Sequence, residues 1–280
     1  MQPDWLIPDW PAPAGVKAVF TTRSGGCSDR PWQSMNLGEH VGDVRQHVEA
    51  NRATLQQSIN SRPVFLTQVH GVGVLHIRSD TISGTAADAC LTTQRGMACT
   101  IMVADCLPVL LTDRNGSAIA AAHAGWRGLA GADARGQLGN KGILETVVAA
   151  FLASNMRVAH ENTAQSAPEL IAWLGPCIGP AAFEVGAEVK AAFEAGQPDA
   201  ARFFKPITEG KYSADLAGLA KARLRALGIA QIYGNDSSAA WCTADNPSRF
   251  FSHRRDAGAV TSGGNGLNTT GRMAACIWLD

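Results

Sequence analysis

Three residues offer the strongest chemistry in this sequence. His70 lies in Gln68-Val69-His70-Gly71, Cys106 in Ala104-Asp105-Cys106-Leu107-Pro108, and His123 in Ala122-His123-Ala124-Gly125. Each follows an apolar run and precedes a turn-former, as expected at the rim of a sheet, where pockets form. Two imidazoles and a thiolate suit zinc, and three protein ligands leave a fourth position open for water or substrate, the pattern of a catalytic site. The same residues also read as a Cys106 nucleophile with His123 or His70 as its base. No local metal signature links residues so far apart, so the spacing leaves both readings open.

Other residues are candidates for substrate contact. Arg23 precedes Ser24-Gly25-Gly26, a turn whose amides can approach an anion, and is a candidate to bind phosphate, with a hairpin turn carrying a solvated arginine as its alternative. Asn36 is a candidate for hydrogen bonding a ribose or a base edge, with a turn-forming role as its alternative. Asp105 is a candidate to orient a metal-bound histidine, with a buried structural hydrogen bond as its alternative. Arg254, flanked by His253 and Arg255, is expected either at the pocket rim or on a charged surface. His40, His47, His76 and His160 have no supporting context. Cys27, Cys90, Cys99, Cys177, Cys242 and Cys276 read as packing residues.

The elements that must position these groups follow from periodicity and turn signals. Strands are expected at residues 17–22, 98–103, 108–112, 117–124, 170–174, 229–233 and 273–279, with a bent strand or hairpin at 63–77. Pro108 is expected to force a break after the strand that leads to Cys106. Helices are expected after Asp43 as cap to Ile59, and at 142–152, 181–195 and 213–227. Segments 131–140, 155–168 and 257–270 read as surface insertions, the last rich in Gly, Ser, Asn and Thr and expected to be mobile. Strands and helices mix without strict alternation and without a clean linker. That predicts an α+β fold, one domain over 1–280, with a mixed β-sheet core and flanking helices.

Composition bounds the function. Lys plus Arg and Asp plus Glu are both 24, so the formal net charge is zero and the basic footprint of a nucleic-acid binder is absent. No apolar run is long enough to span a bilayer, and the start of the chain lacks the basic-then-apolar pattern of a secretory signal. Seven cysteines without a CxxC pair argue against a disulfide framework and for a reducing, cytoplasmic setting.

Taken in order, the segments Thr21-Thr22-Arg23-Ser24-Gly25-Gly26, Asn36-Leu37-Gly38, Gln68-Val69-His70-Gly71, Ala87-Asp88-Ala89, Ala104-Asp105-Cys106-Leu107-Pro108 and His123-Ala124-Gly125-Trp126-Arg127-Gly128 resemble the YfiH-like, laccase-domain-containing family. Gly175-Pro176-Cys177-Ile178-Gly179-Pro180, Phe183-Glu184-Val185, Ser252-His253-Arg254-Arg255-Asp256 and Thr270-Gly271-Arg272-Met273-Ala274 extend the resemblance over nearly the whole chain. The family is described variously as purine nucleoside phosphorylase, polyphenol oxidase and peptidoglycan editing factor. The resemblance implies a fold like that of the cytotoxic-necrotizing-factor catalytic domain, with zinc at His70, Cys106 and His123. It also implies phosphorolysis of adenosine, inosine and methylthioadenosine with inorganic phosphate, and deamination of adenosine; a monomer or weak homodimer is expected, and the composition predicts no nucleic-acid or membrane partner. Cys90 stands where the family usually has an aliphatic residue.

The polyphenol oxidase label has a physical test. His₂Cys can imitate a blue-copper site, making copper the alternative metal. A four-copper laccase also needs a trinuclear cluster fed by paired histidines, and seven histidines with no His-x-His pair cannot supply one. Oxidase activity would therefore come from a single copper. The other alternative is a cysteine- or zinc-dependent amidohydrolase editing peptidoglycan precursors. A metal-binding partner without catalysis is the non-enzymatic one.

Overall fold

Strands such as Leu107–Asp113, Met97–Val103 and Met273–Leu279 are buried at every position. Continuous apolar strands of this kind need cover on both faces, and the layering supplies it. The computed structural model describes residues 4–131, 139, 141–159, 169–257 and 269–280. In chain order its strands are β1 (Val16–Phe20), β2 (Arg62–Phe65), β3 (Val74–His76), β4 (Ala89–Thr92), β5 (Met97–Val103), β6 (Leu107–Asp113) and β7 (Ile119–Ala124). They continue with β8 (Leu170–Leu174), β9 (Glu184–Gly186), β10 (Phe204–Thr208), β11 (Lys211–Ala214), β12 (Gln231–Gly234) and β13 (Met273–Leu279). The helices are α1 (Arg45–Ile59), α2 (Trp126–Ala130), α3 (Ile143–Ala159), α4 (Ala187–Gly196), α5 (Leu216–Ala226) and α6 (His253–Asp256), with short 3-10 turns between some elements.

One sheet has the order β1-β13-β5-β2 and another the order β12-β8-β6-β7-β4-β3, while β10-β11-β9 form a small third sheet. Both larger sheets are mixed: β2 pairs parallel with β5, and β3 with β4, amid antiparallel neighbours. The two larger sheets pack face to face. Leu110, Ile119 and Ala121 meet Ile101, Met273, Ala275 and Ile277 between them. The alternate residues Val109, Leu111, Ala120 and Ala122 face Phe151 of α3 and Leu219 of α5. Ala274, Cys276 and Trp278 face Leu55 and Ile59 of α1. The period-two alternation of strand side chains thus builds helix, sheet, sheet and helix layers. Phe151 is fully buried, and truncating such a residue to alanine costs about 3–5 kcal/mol.

The α+β expectation holds, with local corrections. Asp43 does not cap α1: Val44 holds the cap position, and the Asp43 carboxylate accepts from the Val44 amide and Asn36 Nδ2 instead. The helix expected at 142–152 continues to Ala159, into the first part of a supposed insertion. The helix expected at 181–195 begins only at Ala187, because Glu184–Gly186 pairs with β11. Likewise residues 211–214 are strand, and Asp215 accepts from the Gly218 amide to start α5. The break expected ahead of Pro108 is present, with β5 ending at Val103 and β6 starting at Leu107, and Pro108 lies within β6 opposite His123. Residues 132–138, 140, 160–168 and 258–268, which hold most of the three expected insertions, lie outside the described residues. All seven cysteines are free thiols. Among the described residues no helix is long and apolar enough to cross a membrane.

Candidate metal centre

The six-stranded sheet delivers two of the three key side chains directly. His123 is the penultimate residue of β7, and Cys106 immediately precedes β6, whose Leu107 pairs with Ala124. His70 sits in the loop between β2 and β3 rather than at a strand end. The potential ligand atoms of His70, Cys106 and His123 all lie within 4.8 Å of one another, with Cys106 Sγ 3.9 Å from His70 Nε2. The imidazole rings meet edge to face, centroids 4.7 Å apart.

Asp88, just before β4, ties this arrangement together. Its carboxylate accepts from His123 Nδ1 at 2.9 Å and from the backbone amides of Val69, His70 and Gly71 at 3.3, 2.9 and 2.7 Å. A carboxylate only accepts, so Nδ1 of His123 carries the proton and Nε2 is the ring atom left for a ligand. The same contacts pin the loop bearing His70, whose φ of 60° is left-handed. Asp105 is left-handed as well, at 95°. Its carbonyl accepts from Ile178 N, and its carboxylate from Thr243 Oγ1 at 2.6 Å and the Arg254 amide at 2.7 Å. Such backbone costs on the order of 1 kcal/mol or more and persists where surrounding bonds over-determine it.

Gly125 follows β7 at the one point where a side chain would fill the centre. A Cβ there would stand 3.0 Å from Cys106 Sγ and 3.1 Å from His70 Cδ2. The backbone of Gly125, at φ −68°, would accept alanine, so the glycine preserves space, not conformation. Gly128 in α2 lets that helix close on the His70 loop, since a Cβ would lie 2.6 Å from the Gly71 carbonyl.

The electrostatics match the geometry. Burial acts to raise the Cys106 thiol, but the charge and hydrogen bonds of His123, then those of His70, bring it down to about 6. Burial acts to lower His123, but Cys106 and Asp88 raise it to about 9. Burial opposes the Asp88 charge too, and its bonds to His123, Gly71 and His70 still hold the carboxyl below its ordinary value. Without a cation, each group favours the charged form of the other: His123 and His70 favour the Cys106 thiolate, and Cys106 and Asp88 favour a protonated His123. A tetrahedral zinc spaces its nitrogen and sulfur ligands by roughly 3.3–3.8 Å. The donor set, near that spacing, fits such an ion, which would displace the imidazole proton.

The centre opens into a cavity of about 750 Å³. Arg254 reaches its wall, as does His253, but both Nη atoms of Arg254 donate to the carbonyls of Ala182 and Glu184. Arg23 and Asn36 do not reach the cavity. Arg23 donates to the carbonyls of Gln33 and Pro247 and lies over Phe251. Asn36 is fully buried and joins Gly38, Asp43 and the Arg272 amide. The Arg23 turn therefore anchors chain segments, and the phosphate role expected for it has no support in its position. Asp105 contacts no histidine in the centre; Asp88 does that work. Arg255 is spent on Asp256 and the carbonyls of Thr243, Ala244 and Phe250. Cys27, expected to pack, is exposed.

Sequence reasoning missed Asp88, His40, Arg52, Gln68 and Arg272 as neighbours of the site. Gln68, Asp88 and Arg272 lie in family-like segments, but nothing in their spacing shows which side chains face the cavity.

Fold and centre together define an α+β protein, built on two packed larger sheets and a small third one, with a His₂Cys metal-type site. A family model described as multi-copper polyphenol oxidoreductase laccase matches residues 17–280, and the chain belongs to that family. It is 43% identical to a Pseudomonas aeruginosa protein named purine nucleoside phosphorylase, over 98% of each chain. It is equally similar, over the same share of each chain, to the Escherichia coli purine nucleoside phosphorylase YfiH. Among solved structures, a Neisseria meningitidis DUF152 protein superposes with a TM-score of 0.82 at 42% identity, covering 99% of each chain. YlmD of Geobacillus stearothermophilus gives 0.77 at 28% identity, covering 100% of this chain and 97% of that one.

Proposed function

We propose that this protein is a zinc-dependent purine nucleoside phosphorylase acting on adenosine, inosine and methylthioadenosine, with adenosine deamination at the same centre. The observation that carries the reading is the end-to-end match to relatives named purine nucleoside phosphorylase. The His70, Cys106 and His123 cluster supports it, set in a cavity within the roughly 300–1,000 Å³ range of small-molecule sites.

In phosphorolysis a phosphate oxygen attacks the anomeric carbon, the glycosidic carbon–nitrogen bond breaks, and the purine leaves with the bonding pair and takes up a proton. A zinc ion held by His70, Cys106 and His123 would supply Lewis acidity to the reacting groups. Trp126, Ile178 and Phe183 provide apolar walls for a planar base. Asp88 keeps His123 and the His70 loop in place, so that little reorganisation is needed during the reaction.

The test is chromatography of adenosine and inosine incubated with and without phosphate. Free base and ribose 1-phosphate should appear only with phosphate, and inosine from adenosine in either condition. Base release at a rate independent of phosphate would remove the phosphorylase assignment.

The thiolate–imidazolium character of Cys106 and His123 favours one second reading, a Cys106 nucleophile acting on amides of peptidoglycan precursors. Chelation separates the two: a cysteine nucleophile would gain activity when metal is stripped, and the zinc enzyme would lose it.

A further inference from the structure

The arginines around the centre differ in how their donors are spent. Arg52 lies on the cavity wall, but Nε donates to the Leu37 carbonyl, Nη1 pairs with Glu39 and the guanidinium stacks 3.9 Å over Phe65. Arg254 has both Nη atoms on carbonyls. Arg23 lies elsewhere. Arg272 is unlike them. It lines the cavity half-buried, and only Nη1 is used, on the carbonyls of Thr270 and Gly271. Among the described residues its Nε and Nη2 have no hydrogen-bond partner, and no carboxylate lies within ion-pair distance.

Its position is also fixed. The Arg272 amide donates to Asn36 Oδ1 at 2.9 Å, and the same oxygen accepts from Gly38 N. A Cβ on Gly38 would come within 2.8 Å of Arg272 Cγ, so the glycine makes room for the stem. Arg272 continues directly into β13, the strand registered against β5 from Met273 onward. The anionic groups it senses most are Cys106 and Asp105, which places its charge toward the metal centre. Asp105 is occupied by Thr243 and the Arg254 amide. Beside Arg272, His40 is pushed below its usual value by burial and then by the charges of Arg272 and Arg52. The wall carries Arg52, Arg254 and Arg272 against Glu39, paired with Arg52, and Asp105, held by Thr243 and the Arg254 amide; among the described residues Arg272 is the wall guanidinium that keeps both Nε and Nη2 unspent.

We infer that Arg272 is the anion-holding residue of the cavity and takes inorganic phosphate through its free Nε and Nη2 edge. Two parallel N–H donors match the spacing of two phosphate oxygens, and the charge-assisted bonds hold the nucleophile beside the centre. The assignment rests on the phosphorylase reading for its purpose, but not for its measurement.

Inorganic phosphate is titrated into the protein as purified, by calorimetry or phosphorus NMR, for wild type, Arg272→Gln and Arg272→Lys. Melting temperature and metal content are recorded alongside. Wild type should bind phosphate, Arg272→Gln should bind it about 10- to 100-fold more weakly, and Arg272→Lys, which keeps the charge but not the fork, should fall between. Folding and metal content should be unchanged, and if Gln fails to fold, Lys carries the comparison. Unaltered phosphate affinity in both variants, or no phosphate binding by wild type, overturns the inference. Phosphate binding that depends on Arg272, with no base released from nucleosides, would leave it standing and remove the phosphorylase reading instead.

Discussion

Asp88 and His123 are joined twice: the Asp88 carboxylate accepts from His123 Nδ1 at 2.9 Å, and the Asp88 carbonyl accepts from the His123 amide at 2.7 Å. The same carboxylate holds three successive amides of the His70 loop. One buried acid therefore sets the positions of two of the three centre residues, which lie on different parts of the chain.

Replacing that acid should weaken the centre before it weakens the fold. Asp88→Asn is expected to lower metal affinity about 10- to 100-fold, the usual effect of removing a partner of a ligating histidine. Asp88→Ala should also cost about 1–3 kcal/mol by stranding buried amides. Chelator competition and thermal melts measure the two effects. Because folding lowers the Asp88 carboxyl below its ordinary value, its contribution is present above the usual carboxylate range. It is lost as pH falls through the folded value.

Gly125→Ala isolates the space at the centre. The new Cβ presses on Cys106 and His70 while the backbone conformation remains allowed. Metal content and turnover should drop by tenfold or more, at about the level expected for a displaced reactive group, with an intact circular dichroism spectrum. Full metal occupancy in this variant would show that the centre can expand.

The Cys106 thiol gives a pH signature. In metal-stripped protein the thiolate fraction rises as pH rises through about 6, so alkylation by iodoacetamide should rise over the same range. Metal reloading should suppress it. Cys106→Ser should lose metal and activity together. Mass spectrometry of alkylated peptides and elemental analysis provide the readouts. An alkylation midpoint near that of an ordinary thiol would contradict the paired centre.

Arg23→Ala separates anchoring from phosphate binding. Losing the bonds to Gln33 and Pro247 should cost about 1–2 kcal/mol. The KM for phosphate should stay within about twofold, because no contact with the cavity is lost. A selective rise in that KM with an unchanged melting temperature would return the anion role to Arg23.

Much of the architecture is written locally. The apolar runs of β5, β6, β7 and β13, the turn-forming residues beside His70 and His123, and the choice of two imidazoles and a thiol are all legible without coordinates. Strand character survives because burial on both faces demands largely apolar side chains, the buried Thr100 and Thr112 hydrogen-bonding nearby carbonyls. Short strands are harder. Ala89–Thr92 and Glu184–Gly186 carry little periodic signal, and they are strands only because β7 and β11 lie alongside them.

The sequence by itself determined which donors are available and the layered mixed-sheet core that carries them. Only the tertiary structure decided how they are used, because direction and distance across the fold are not encoded in spacing. Asp88 outranks Asp105 as the partner of His123, since β4 lies beside β7 and the loop after β2 folds over both. Arg23 and Arg272 have the same side chain. Arg23 is closed off by backbone carbonyls it meets far along the chain, whereas Arg272 enters β13 with one edge of its guanidinium open to the cavity.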